Sequence, residues 1–219
     1  MSIGFMLLIA AGVLILFGAG QRVLDKLRLT DRQAILFIAL IIAGGLLPDI
    51  NVTRTFAFNV GGALIPLGLC VYLWVKADTA REKIRCVLAA LLTGAAVFAL
   101  GRALPADPAE MVVDPSVAYG LAGGVIAYVF GRSRRGAFIA GTVGVILANL
   151  ASWGYANAMG AQQRLALGGA GGFDVIVIAG LLAVLLAELI GEIVERVKRG
   201  RQKPTREFVN GDFVRREER

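Results

Sequence analysis

The sequence predicts an all-α fold: a polytopic membrane bundle of about seven transmembrane helices, with the N-terminus outside and the C-terminus inside. Three observations carry that expectation. The chain of 219 residues is 57% hydrophobic and only 18% charged, with a mean hydropathy of +0.72, an excess that no soluble core of this size needs. Its apolar residues fall in runs separated by charged clusters. Assigning the loops alternately to two sides puts 20 of the 23 Lys and Arg on one of them, with only Arg54, Arg102 and Arg164 opposite. Positive residues gather on the cytoplasmic side, and a miscounted span would mix the signs.

Taken in order, residues 3–19 form the first apolar run. No Lys or Arg precedes it and Arg22 follows, so it reads as an uncleaved span rather than a signal peptide. Residues 21–33 place Val23, Leu24 and Leu27 against Arg22, Asp25, Lys26 and Arg28, which suits a short interfacial turn or a solvated loop. Thr30-Asp31-Arg32-Gln33 has capping-box spacing and opens the second span, 34–47, which ends at Pro48-Asp49. The third span, 57–75, begins with Asn59 before Gly61-Gly62. A second capping box, Thr79 to Glu82, leads to the fourth, 84–100. Asp114-Pro115 supplies an N-cap acid and a proline at the first helical position for the fifth, 117–130. The sixth covers 137–159. The seventh grows from 168–192, after which residues 195–219 form a basic tail, helical at first and then loosely ordered. The bundle, 1–194, and the tail are the two expected domains. Ala90 and Gly94 match Ala140 and Gly144 at a shift of fifty; this is either an internal repeat, as in many transporters, or shared membrane composition.

Several function classes drop out early. The chain has no histidine, which removes the usual general base, pH switch and metal ligand. Cys70 and Cys86 form no CxxC pair and read as small packing residues. No P-loop or dinucleotide fingerprint is present, so no cofactor or metal is expected. The net charge of +7 is concentrated in loops and tail, where orientation in a membrane accounts for it. The expected partners of the tail are anionic lipid headgroups, not nucleic acid.

Intramembrane polar residues are then the place to look for chemistry. Four glycines in five residues, 168–172, precede Asp174, and thirteen uncharged residues separate it from Glu188. Thirteen helical residues cover only ~20 Å of a ~30 Å hydrocarbon core, so both acids cannot sit in headgroups. Asn59, Asn149 and Asp174 fall at one depth on the outer side. One reading makes them an outward-opening pocket for a small solute or cation, with Asp174 as the charge partner. The other makes Asp174 and Asn59 helix N-caps and Asn149 an interhelical hydrogen-bonding group. Glu188, Glu192 and Glu195 share a helix face with Asp174, which suits cation or proton passage, or a Glu188 paired with a loop cation such as Arg85 or Arg132.

The stretches GQRVLDKLRLTDR, FNVGGALIPL, YVFGRSRRGAFIAG and GGAGGFDVIVIAG together resemble an uncharacterised family of prokaryotic integral-membrane proteins, domain-of-unknown-function family sixteen-fourteen. The resemblance runs from Gly18 to about Gly191. It implies placement in a prokaryotic inner membrane and carries no activity with it. Solute or cation binding, or transport, is the preferred expectation, ahead of enzymatic activity. A non-catalytic scaffold docking a cytoplasmic partner through the tail is the alternative. A degenerate intramembrane aspartyl protease is the third: GGFD has phenylalanine where a GxGD motif needs glycine, and Asn149 stands where a second aspartate belongs, which leaves Asp49 at the end of the second span as the acid that would have to substitute.

Overall fold

A computed structural model describes residues 31–77, 79–103, 115–131, 133–171, 174–201, 206–209 and 212–215. The expected first span, the turn at 21–30 and the loop at 104–114 with its Asp114 cap lie outside them. The chain divides into two compact units, Met1–Ala187 and Glu188–Arg219. Six α-helices dominate the described residues: α1 (Asp31–Gly45), α2 (Ile65–Val75), α3 (Ala80–Ala103), α4 (Pro115–Gly131), α5 (Arg134–Ala158) and α6 (Val175–Arg201). Of these, α3 and α5 are long and apolar enough to cross a membrane.

In the first unit α5 is the central post. The most apolar stretch of α5 is 61% buried, that of α3 only 33%, and α3, α4 and α2 all pack on α5. Leu69 and Leu73 of α2, Cys86 of α3, Phe138 of α5 and Val184 of α6 share one buried cluster. Small residues allow the close approach: a Cβ on Gly144 would meet the Thr93 side chain at 2.7 Å.

Cross-helix contacts fix direction. Ser133 Oγ donates to Glu82 at 3.5 Å, Gly94 faces the Gly144 carbonyl, and Arg102 donates to the Tyr155 hydroxyl at 3.2 Å. Helices α3 and α5 therefore run parallel at a shift of about fifty residues, the shift at which their sequences match. Gln33 donates to the Tyr72 hydroxyl at 3.3 Å while Gly44 abuts Gly61, so α1 is antiparallel to α2. One end of this unit collects the starts of α1, α3 and α5 with the end of α2, and with them Arg32, Lys76, Arg81, Lys83, Arg134 and Arg135. The opposite end has Asp49, Arg54, Arg102 and Arg164.

Side chains at the helix starts explain several boundaries. Thr79 Oγ1 accepts from the Glu82 N–H at 3.2 Å, the expected cap of α3. Ser133, which the sequence reading passed over, caps α5 by accepting from the Gly136 N–H at 3.0 Å. The outer face of α3 is apolar and open, with Ile84 61%, Leu88 54% and Leu91 52% exposed.

The expectation of helices alone needs correction at the less basic end. Strands β1 (Ile50–Asn51), β2 (Phe56–Phe58) and β3 (Leu165–Leu167) form a small sheet in that order, β2 pairing antiparallel with β1 and parallel with β3. The expected third span thus starts as a strand. Its helical part begins only with a π-turn at Val60–Leu64, where Asn59 leaves extended geometry (φ −96°, ψ 141°). The expected seventh helix likewise starts at Val175, because Gly168 and Gly171 adopt φ of 71° and 61° and turn the chain instead of continuing it.

The second unit contains the end of α6 and an antiparallel pair of strands, β4 (Arg206–Val209) and β5 (Asp212–Arg215), with Phe208 and Phe213 as register partners.

Candidate functional site

Asn59 is 2% exposed, and its side chain is fully used. Its Oδ1 accepts from the Gly61 and Gly62 N–H groups at 2.9 and 3.1 Å. Its Nδ2 donates to the Leu47 carbonyl and to Asp49 Oδ1, both at 3.1 Å. Its backbone N–H donates to the Leu167 carbonyl at 2.8 Å. One amide has two donors and two main acceptor positions, so Asn59 ties the end of α1, the start of α2 and strand β3 together with nothing left over.

Asp174 works similarly on the glycine loop. Its Oδ1 accepts from the Ile176 N–H at 3.0 Å, capping α6, and its Oδ2 accepts from the Ala170 N–H at 3.4 Å. Asp49 reaches the same loop, since a Cβ on Gly169 would lie 3.7 Å from Asp49 Oδ2. Asp49, Asn59 and Asp174 therefore surround one loop, 168–171, which sits against Gly62 and Ala63. The sequence marked Asn59 and Asp174 as possible caps. It did not show that Asp49, ten residues before Asn59, closes the clasp.

Asn149 belongs elsewhere. It lines a cleft of about 510 Å³ between the last turns of α3 and α5. Val97, Phe98 and Met159 give this cleft apolar walls, while Arg102, Ser152 and Gln163 join Asn149 as its polar lining. Arg102 is fixed by Tyr155, its guanidinium carbon 4.2 Å from the ring centroid, and Phe98 meets the same ring edge-on at 6.3 Å. Stacking on an aromatic face orients a guanidinium without neutralising it. Arg164 is engaged differently, donating to Asn51 Oδ1 at 2.9 Å. So the structure brings Asn59 and Asp174 to one loop and puts Asn149 in a cleft whose charged member, among the described residues, is Arg102. Glu188 lies on the second unit's part of α6, and its side chain is outside the described ones.

The family model described as "Protein of unknown function (DUF1614)" matches residues 22–186. The chain belongs to that family. No curated protein and no solved structure matches it. In this DUF1614 member the matched stretch contains both the clasp and the cleft, and it ends just before Glu188.

The two places offer different chemistry. The clasp directs its polar atoms inward at backbone groups, which suits holding a loop in shape. Among the described residues the cleft presents one cation, Arg102, with amide groups and hydroxyls beside apolar walls, the mixture typical of small-molecule sites. Among the described residues no three acidic or cysteine side chains gather closely enough to hold a metal ion. Arg102 is the functional candidate that sequence reasoning missed. It appeared there only as one of three cations on the sparsely charged side, and its spacing to Tyr155 was the remaining signal.

Proposed function

We propose that this chain is a multi-pass protein of the prokaryotic cytoplasmic membrane, basic end inside, that binds a small solute in its outward-side α3–α5 cleft. The membrane part is supported by the open apolar face of α3 and by the gathering of loop cations at one end of the first unit. Single cysteines test it in a Cys70→Ala, Cys86→Ala background: Arg54→Cys should react with an impermeant maleimide in intact cells, Lys83→Cys only after the membrane is opened. The reverse pattern, or labelling of both, refutes the orientation.

The cleft carries the solute reading. Sequence reasoning centred the pocket on Asp174 and allowed a cation. Arg102 as the charged member of the cleft lining moves the site and reverses the sign, favouring a solute with a carboxylate or similar anionic group and a short apolar part. Asp174 and Asn59 keep an indirect role, shaping the loop at the same end. The test is thermal stabilisation of the detergent-purified chain by a panel of small carboxylates, neutral analogues and inorganic cations. A carboxylate should stabilise the wild type. Arg102→Gln should weaken its binding about tenfold or more, the cost of a charge-assisted hydrogen bond, and Ser152→Trp should block it. Equal stabilisation of all three proteins would overturn the assignment, as would a cation effect abolished by Asp174→Asn.

A second reading has an observation of its own: residues 188–219 form a separate compact unit with an antiparallel pair of strands, which favours a scaffold that docks a cytoplasmic partner. Deleting the residues after Arg199 would abolish a scaffold's function and leave solute binding intact. The protease reading finds a second acid in Asp49. Both acids already accept hydrogen bonds that hold the loop and its neighbours, which favours a structural role over activation of water.

A further inference from the structure

We infer that the groove between α2, α3 and α5 is a binding site for one anionic phospholipid, its acyl chain in the groove and its headgroup at Lys76 and Lys83. This rests on the membrane placement proposed above and is independent of the solute cleft.

The groove exists because α2 and α3 each pack on α5 but scarcely on one another. Leu67, Val71 and Trp74 form one wall, Val87 and Leu91 the other, and Ile139 lies at the floor, around a volume of about 270 Å³. The floor is buried, Ile139 being 5% exposed, while Val71 in the wall is 55% exposed, so the groove opens sideways from the bundle. From Leu67 to Trp74 is seven residues of helix, ~10 Å along the axis. In a bilayer that axis follows the acyl chains.

Among the described lining residues the polar groups are the Trp74 indole N–H, already donated to a carbonyl, and the Cys70 thiol, so little holds water there, and an apolar void left empty forfeits dispersion contacts. Something apolar therefore fills it in the membrane. The groove is open along its side and ~10 Å long, a shape that an extended hydrocarbon chain can occupy lengthwise.

The basic end identifies the lipid. Trp74 closes the groove there, its indole N–H donating to the Lys83 carbonyl at 3.2 Å, with Lys83 Nζ 5.5 Å from the ring centroid. Tryptophan and lysine in contact at a helix end mark headgroup level. Lys76 is exposed on the turn between the two walls. Glu82 is the nearby acid on α3, and Ser133 donates to it. Two lysines over an apolar slot match a phosphate headgroup that carries a net negative charge.

The test titrates short-chain phosphatidylglycerol and phosphatidylcholine into the full chain in detergent, read by thermal stabilisation and by native mass spectrometry. One phosphatidylglycerol should bind per chain, in preference to phosphatidylcholine. Lys76→Gln with Lys83→Gln should cost about fivefold per lysine for phosphatidylglycerol alone. Val71→Trp, a change at an exposed wall, should abolish binding of both lipids. Equal affinity for both lipids, or phosphatidylglycerol binding untouched by Val71→Trp, overturns the site. So does a dimer that Val71→Trp dissociates, which would make a second copy the occupant. A chain that carbonate washing strips from membranes refutes the placement itself, whereas an embedded chain without the lipid preference refutes only this site.

Discussion

Replacing Gly62 with alanine is expected to lower the unfolding temperature by ~10 °C or more. A Cβ at this position would overlap the Gly168 carbonyl oxygen and lie 2.7 Å from the Gly171 oxygen. All of these are backbone atoms of the loop that the clasp holds, so no side chain can swing aside. Either the π-turn or the glycine loop must move, and with it the junction of α2, β3 and α6. A forced backbone shift of this kind costs more than ordinary overpacking, ~4 kcal/mol or above, which for a chain of this length lowers Tm by ~10 °C or more. Gly68→Ala is the matched control. It lies within α2, and a Cβ there meets nothing within 4 Å, so gaining alanine's helix propensity should stabilise by up to ~1 kcal/mol. Thermal unfolding in one detergent should therefore move the two variants in opposite directions. Similar Tm values for both would mean that the loop is not seated against the π-turn as described.

What could be foreseen from sequence follows from how each element is specified. Helices α3 and α5 were legible because each is a long apolar run bounded by charges, and the Thr79 cap is a local spacing rule that needs no tertiary partner. The strand at Phe56–Phe58 has three residues, too few for alternation to register, and its partner at Leu165–Leu167 lies more than a hundred residues away. Glycine runs carry a deeper ambiguity. Gly141 and Gly144 serve helix contact, while Gly168 and Gly171 need positive φ, and the letters are the same. Asn59 and Asp174 were legible as helix-starting residues; that both converge on the loop at 168–171 follows only from the fold. Helical spacing assigns Asn149 a depth, but depth alone does not say which neighbours a helix face meets, and its cleft is shared with Arg102 instead of Asp174.

Asn59 gives the second large effect, and here two substitutions separate the donors from the acceptors. Asn59→Leu keeps the size and removes every side-chain hydrogen bond. The Gly61 and Gly62 N–H groups and the Leu47 carbonyl then lose their partner beside a residue that is 2% exposed. Each unsatisfied buried group costs ~1–3 kcal/mol; partial access of water at the exposed Leu47 lowers the total, and ~3–5 kcal/mol is expected, again a fall in Tm of ~10 °C. Asn59→Asp retains both acceptor contacts to the glycine N–H groups. It loses the donor to Leu47 and sets a second carboxylate against Asp49 Oδ1, where Nδ2 now stands at 3.1 Å. If acceptance alone mattered, as for a simple helix cap, the aspartate variant would match the wild type. In the clasp it should be at least as destabilised as the leucine variant at pH 7.5. It should then recover as pH falls towards 4, because protonation removes the like charge and restores a donor, while the leucine variant shows no such recovery relative to wild type. Parallel melting curves of the three proteins at several pH values decide between these outcomes. An Asn59→Asp protein as stable as wild type at pH 7.5 would reduce Asn59 to a cap and remove Asp49 from the clasp.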